Sequence, residues 1–219
     1  MIAVDRYVLR RFPFPLISWL VGGLALIILA ALAAAYSRFP GDEWLAYRLQ
    51  DIDVVAFARA LDWTEDIAVS PWALVVWLLA IVGLLAMAKR WEAILLLMIM
   101  GGRFLNAGLK ELVERPRPSP DLVNVSENPS TFSFPSGHVT EAILLYGFLI
   151  YLASTLIPQP LLRLIVQAAC LYVIAFTALE RVYVGAHWPS DVLGSILLGS
   201  LIVAVFIWIH RYSLRQVLP

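Results

Sequence analysis

Six apolar runs of about 20 residues each dominate the chain, and its polar residues gather between them. The runs cover residues 16–36, 71–88, 91–110, 139–157, 161–179 and 192–209. A helix that satisfies its own backbone hydrogen bonds needs roughly 20 apolar residues to cross about 30 Å of hydrocarbon, so each run predicts a membrane span. The first two carry no charge, whereas the third holds Arg103 and Lys110, which at that depth require protein or water as partners. Between the first two runs, Trp44, Leu45, Leu49, Ile52, Ala56, Ala60 and Trp63 recur at helical spacing among Asp42, Glu43, Asp51, Asp53, Asp62, Glu65 and Asp66. That pattern predicts an amphipathic helix in the membrane interface, either a plain connector or a rim that guides headgroups. The expected fold is an all-α integral membrane protein, with six transmembrane helices in one bundle and an interfacial helix between spans one and two.

Composition agrees with the pattern: 61% of residues are hydrophobic and 15% charged, and the mean hydropathy is +0.82. A chain of 219 residues so constituted predicts a single domain over 1–219. The net charge is zero and no basic tail is present, which excludes nucleic acid as the expected partner. Cys170, the one cysteine, lies in an apolar run and is expected to pack there. Arg6, Arg10 and Arg11 precede the first run, and Ala33-Ala34-Ala35 could pass as a signal cleavage site. The run exceeds the roughly 7–15 residues of a signal peptide's apolar region, which favours an uncleaved span.

If the chain alternates across the membrane, Arg6, Arg10, Arg11, Lys89, Arg90, Arg163, Arg211 and Arg215 share one side. The positive-inside rule makes that side cytoplasmic, although Arg38, Arg48, Arg59 and Arg115 weigh on the other. Three polar clusters then share the outer face. In the first, Lys110 and Arg117 stand seven residues apart; the helix is expected to end near Val113, with Pro118 holding Arg117 extended. An extended arginine can fork two phosphate oxygens while the lysine adds a point charge, but the pair alone also reads as a basic headgroup patch. In the second, Pro135-Ser136-Gly137-His138 opens the fourth span. Ser136 is an expected N-cap, Gly137 admits a close ligand, the helix start favours anions, and His138 can protonate a departing alkoxide. It reads equally as ordinary turn chemistry.

In the third cluster, Glu180-Arg181 is followed by His187, Pro189 and Asp191. Pro189 suits the first turn of span six, so Asp191 can fold back on His187 and leave the other ring nitrogen as an outward lone pair. The alternative is an Asp-capped helix with a bystander histidine. His210, at the far end of span six, is expected to snorkel to the interface. The three histidines lack close ligand spacing, so no metal site and no cofactor are expected.

Taken in order, Lys-x6-Arg-Pro, Pro-Ser-Gly-His and Arg-x5-His-x3-Asp resemble the three signatures of the type 2 phosphatidic acid phosphatase family. The resemblance implies a metal-independent lipid phosphatase in which His187 forms a phosphohistidine, Asp191 orients it and His138 protonates the leaving oxygen. It assigns the phosphoryl oxygens to Lys110, Arg117 and Arg181, with the backbone of Ser136 and Gly137. The chain departs from the family at Glu180, where serine is usual. Undecaprenyl diphosphate, phosphatidylglycerol phosphate and phosphatidic acid are the implied substrates, with the bilayer as the other partner. A lipid phosphotransferase and a non-catalytic lipid-binding or transport protein are the alternatives. Lys89 and Lys110 are the only lysines, which points to a GC-rich bacterial genome and a bacterial plasma membrane, with the site on the periplasmic or extracellular face. Nothing in the sequence sets the oligomeric state.

Overall fold

The computed structural model describes residues 16–68, 72–127 and 129–217, and among these it is helical with no strand. Helix α1 is Leu16–Ala35, α2 is Asp42–Gln50, α3 is Val55–Ala68 and α4 is Trp72–Ala86. Helix α5, Arg90–Met98, runs through a 3-10 turn at Ile99–Gly101 into α6, Gly102–Val113. Likewise α7, Gly137–Ala142, runs through a π-helical turn at Ile143–Gly147 into α8, Phe148–Leu156. Helices α9, Pro160–Tyr183, and α10, Pro189–Val217, complete the chain, each opening on the proline that suits a first turn.

Among the described residues, five segments are long and apolar enough to cross a membrane: Ile17–Ala35, Arg90–Val113, Gly137–Leu156, Pro160–Tyr183 and Pro189–Ser213. The expected second span is the shorter apolar helix α4, whose 15 residues rise about 22 Å at 1.5 Å per residue. Pro71, its expected start, lies outside the described residues, as do Arg6, Arg10 and Arg11. The outward side chains Ile17, Leu20, Val21, Leu24 and Ile27 of α1 are all more than half exposed. A soluble helix would bury such a face; here acyl chains are the solvent, and close packing with interhelical polar contacts holds the helices together.

The interfacial segment forms two helices rather than one. Asp51 caps α2, and the Asp53 N–H donates to the Asp51 carbonyl, so the two aspartates satisfy the backbone locally where the apolar spacing alone predicted continuity. Helix α9 outruns its expected end at 179 because Glu180 and Arg181, which close the apolar run, pair with each other and are buried.

Leu96, Ile99, Val139, Leu144 and Phe148 form the innermost core, all at 0% exposure. Gly194 of α10 faces the ring of buried Phe134 so closely that a Cβ there would lie 2.3 Å from Phe134 Cε2. Gly194→Ala is therefore expected to cost about 1–3 kcal/mol through overpacking, read as a lower melting temperature in detergent. The charge carried into span three is satisfied: Arg103 pairs with Glu141 of α7 at 2.9 Å. His210 does not snorkel. It is 1% exposed, with Nδ1 2.8 Å from the Tyr151 hydroxyl and Nε2 3.5 Å from Glu92, because α5 and α8 supply polar partners that the sequence around His210 does not reveal.

Candidate active site

Helices α6 and α9 end, and α7 and α10 begin, at one end of the bundle, and these four termini with the 114–136 loop carry all three polar clusters. Helix α6 stops at Val113, where Glu114 adopts the left-handed conformation with φ of 50°, and the chain continues non-helically through Arg115 and Arg117. Between α9 and α10, Gly185 has φ of 70°, and a Cβ there would meet the Asn124 carbonyl oxygen at 2.2 Å. Only glycine fits that turn, which sets the His187 N–H 3.0 Å from the Arg181 carbonyl. On the other side, Asp191 at the third position of α10 accepts the Trp188 N–H on Oδ2 at 2.8 Å, a reciprocal cap that also fixes the carboxylate.

His187 is 3% exposed. Its Nε2 lies 3.1 Å from Arg117 Nη1, and its Nδ1 lies 3.4 Å from Ser133 Oγ and 3.7 Å from Asp191 Oδ2. A guanidinium only donates, so Nε2 is the acceptor with the lone pair and Nδ1 carries the proton. The expected direct bond from imidazole to Asp191 is not made at 3.7 Å; Ser133 bridges the two instead, accepting from Nδ1 and donating its hydroxyl to Asp191 Oδ2 at 2.5 Å. Burial pushes the His187 imidazole down to about 4 against the attraction of Asp191, and the Arg117 and Lys110 cations push the same way as burial. The ring is thus neutral at ordinary pH.

The cations surround this ring. Arg117 Nη1 donates to the Ala186 carbonyl at 2.6 Å, and its Nε to the Thr131 carbonyl at 2.7 Å. Lys110 Nζ donates to the Phe132 carbonyl at 2.6 Å. These acceptors are neutral and fix both side chains without cancelling their charge. Arg181 differs: its Nε and Nη2 fork the two carboxylate oxygens of Glu180, and its Nη1 lies 2.9 Å from Glu127 Oε2 and 3.0 Å from His138 Nδ1. Glu180 thus faces its own neighbour in the chain. His138 Nδ1 is likewise an acceptor, which leaves Nε2 as its N–H.

Ser136 occupies the N-cap position of α7 in extended conformation without a side-chain cap, and its buried Oγ has no protein partner. Its carbonyl accepts from Thr140 and Ser195, its N–H approaches the Asp191 carbonyl at 3.5 Å, and a Cβ on Gly137 would lie 3.7 Å from Asn106 Oδ1. The fold therefore brings together all eight residues singled out in the sequence: Lys110, Arg117, Ser136, Gly137, His138, Arg181, His187 and Asp191.

It also adds residues that the sequence reading missed. Arg115, fully buried, donates from Nη1 to Asp191 Oδ1 at 2.5 Å and from Nη2 to Asp42 Oδ2 at 3.0 Å. Ser133, Glu127 and Ser190 complete the shell. The one available signal was the first arginine in Arg115-Pro-Arg-Pro; Asp42 had none, being one acidic residue among several in the interfacial segment.

Comparison with known proteins gives a consistent picture. The chain is 36% identical over 126 residues to phosphatidylglycerophosphatase B of Bacillus subtilis, a stretch covering 55% of this chain and 59% of that protein. It is 34% identical over 101 residues to decaprenylphosphoryl-5-phosphoribose phosphatase of Mycobacterium tuberculosis, covering 44% and 49%. The chain thus spans about half to three fifths of the length of these curated relatives. The crystal structure of a transmembrane PAP2 type phosphatidylglycerolphosphate phosphatase from Bacillus subtilis superposes with a TM-score of 0.72 at 25% identity, over 85% of this chain and 94% of that one. The profile of the PAP2 superfamily matches residues 91–215, from the start of α5 almost to the end of α10. With more than half of its length matched, and every helix terminus of the site inside the matched stretch, the chain belongs to the PAP2 superfamily.

Proposed function

We propose that this chain is a lipid phosphate phosphatase that works through a phosphohistidine on His187. The observation that carries the reading is the tautomer: Arg117 requires an acceptor at Nε2, while Ser133 and Asp191 hold the proton on Nδ1. A neutral imidazole with its lone pair fixed among three cations is a nucleophile aimed where a phosphoryl group would be held.

On substrate binding, the phosphoryl oxygens take over donors of Arg117, Lys110 and Arg181, and Glu127 leaves the Nη1 of Arg181. The Gly137 N–H at the start of α7 adds a donor that no helical carbonyl uses, and the N-cap Ser136 N–H turns to the phosphoryl group from its long 3.5 Å contact with the Asp191 carbonyl. Nε2 of His187 then forms a bond to phosphorus as the bond from phosphorus to the leaving oxygen breaks. With Arg181 Nη1 drawn from His138 Nδ1 to the phosphoryl oxygens, Nδ1 can take up a proton, and the resulting imidazolium gives its Nε2 proton to that oxygen. Asp191 stabilises the positive charge that develops on His187. In the second half, water attacks phosphorus, the P–N bond breaks, His138 takes a proton from the water and inorganic phosphate departs.

The substrate class follows from position. The site lies at the ends of membrane helices, so a phosphate headgroup can reach it while its tail stays in lipid. Lys89, Arg90, Arg163 and Arg211 belong to the opposite helix ends, which supports a periplasmic or extracellular site by the positive-inside rule. Phosphatidylglycerol phosphate, undecaprenyl diphosphate and phosphatidic acid are the candidates. The test is phosphate release from each in detergent with a chelator present. Release from at least one is expected, and silence across the panel contradicts the reading.

Two further outcomes follow. Lys110→Ala should raise the barrier by about 2 to 4 kcal/mol, as loss of a preorganised charge does elsewhere, read as kcat on the best lipid. The pH profile of kcat/KM should keep its nucleophile until about pH 4, since His187 protonates there rather than at its ordinary 6.5 and lowering the pH is what removes the lone pair. An acid limb from this group near 6.5 would contradict the buried, cation-ringed setting.

A further inference from the structure

Asp42 lies outside the residues matched by the family profile and 149 positions before the carboxylate it serves, yet it shares one arginine with Asp191. It is 3% exposed. Its Oδ2 accepts from Arg115 Nη2 at 3.0 Å, from Ser190 Oγ at 2.6 Å and from the Phe39 N–H at 2.8 Å; its Oδ1 accepts the Ser190 N–H at 2.9 Å. Arg115, at 0% exposure, spans from Asp42 to Asp191 Oδ1 and stacks 4.6 Å over the Phe39 ring. The other end of α2 is pinned to the same shell: Gln50 donates to the carbonyls of Asn124 and Tyr183 and accepts the Asn124 N–H.

Resting on the proposed use of His187 as nucleophile, we infer that Asp42 is a positioning residue for the reaction: through Arg115 it sets the charge and orientation of Asp191, and so the reactivity of His187. The physical argument is charge balance in a dry site. Arg115 alone against Asp191 would cancel the negative charge that His187 relies on; Asp42 shares the arginine and leaves the three groups with one net negative charge. Its bidentate engagement of Ser190, beside Asp191 in the first turn of α10, also locks the helix start on which that carboxylate rides. The groups whose charge bears on His187 are Asp191 of α10, Arg115 and Arg117 of the loop, Lys110 of α6, His138 of α7 and Arg181 of α9. Asp42 of α2 joins this set by its direct pair with Arg115.

The test uses the full-length protein in detergent with Asp42→Asn, Arg115→Gln and the double variant. The substrate is whichever of the three candidate lipids the wild type hydrolyses. Asp42→Asn should lower kcat about 10- to 100-fold with KM within about threefold, as expected when a group acts only on the chemical step. It should also move the acid limb of kcat/KM downward, because Arg115 now neutralises Asp191. Arg115→Gln should move that limb upward, because Asp191 loses its cation. The double variant should return the limb to the wild-type position, a reversal that simple loss of packing does not produce. Three histidines in the whole chain make 15N-histidine NMR a second readout independent of turnover: the His187 imidazole should titrate in the same two opposite directions. Limbs and titrations unmoved in all variants would overturn the proposal, as would a wild-type kcat in Asp42→Asn. Should Asp42→Asn fail to fold, the upward shift in Arg115→Gln carries the test, and its absence overturns it. A wild type that hydrolyses none of the lipids removes the phosphatase reading, while opposite NMR shifts would still uphold the coupling of Asp42 to His187.

Discussion

His187→Ala is expected to abolish phosphate release from every lipid the wild type hydrolyses, with the variant folding normally. The site around His187 explains both halves. Its backbone is held by the Arg181 carbonyl and by the Gly185 turn, contacts that an alanine keeps, so the helix ends stay in place. What alanine removes is Nε2, the neutral lone pair that the structure fixes beside Arg117 and within the field of Lys110. Residual activity from the remaining cations acting on water should lie orders of magnitude below wild type, since removing a covalent nucleophile leaves only binding and charge stabilisation. The measurement is kcat on detergent-solubilised lipid, paired with a melting curve; a rate within tenfold of wild type would be incompatible with nucleophilic catalysis at this position.

Asp191→Asn is the second large effect, with kcat falling about 10³- to 10⁴-fold, the scale seen when a carboxylate that fixes an imidazole tautomer becomes an amide. The cause is geometric as well as electrostatic. Asp191 receives donors on both oxygens: Arg115 on Oδ1, and Ser133 with the Trp188 N–H on Oδ2. An asparagine amide has one acceptor and one donor end, so either orientation sets its NH2 against an N–H or O–H that already points at it. The carboxylate is 0% exposed, so the mismatched group is cut off from bulk solvent and bears its full desolvation cost. The charge that favours an Nδ1 proton on His187 disappears in the same step. A 15N spectrum of the imidazole should show the tautomer mixture altered along with the loss of rate; an unchanged Nδ1–H tautomer with unchanged kcat would refute the assignment of Asp191.

Much of this was legible in the chain, for specific physical reasons. Span lengths follow from the need to satisfy backbone groups without water, and α1, α9 and α10 obey it closely. The end of α6 at Val113, the start of α7 after Ser136 and the start of α10 at Pro189 follow from local turn chemistry, which is encoded within a few residues. The convergence of Lys110, Arg117, His138, Arg181, His187 and Asp191 was legible because alternating spans return every second joint to one face. What was not legible depends on tertiary partners. Asp42 looks like any polar residue of an interfacial helix until Arg115 is seen beneath it. His210 looks like a terminal side chain until Tyr151 and Glu92 are seen around it. The break between α2 and α3 was hidden because apolar spacing continued through residues 51–54 while the two aspartates turned the backbone. Glu180, the departure from the family pattern, has an answer no spacing argument could supply: both of its oxygens are spent on Arg181.

The account depends most on a covalent bond forming between phosphorus and His187 Nε2. The direct measurement is to quench the full-length protein with alkali during turnover of a 32P-labelled lipid phosphate and to locate the label by peptide mapping. The account predicts an acid-labile, alkali-stable phosphoryl group on the peptide containing His187, absent from His187→Ala and accumulating when His138 is replaced after a substrate with a good leaving group is supplied. Sustained turnover with no label on that peptide, or label on another residue, would contradict it.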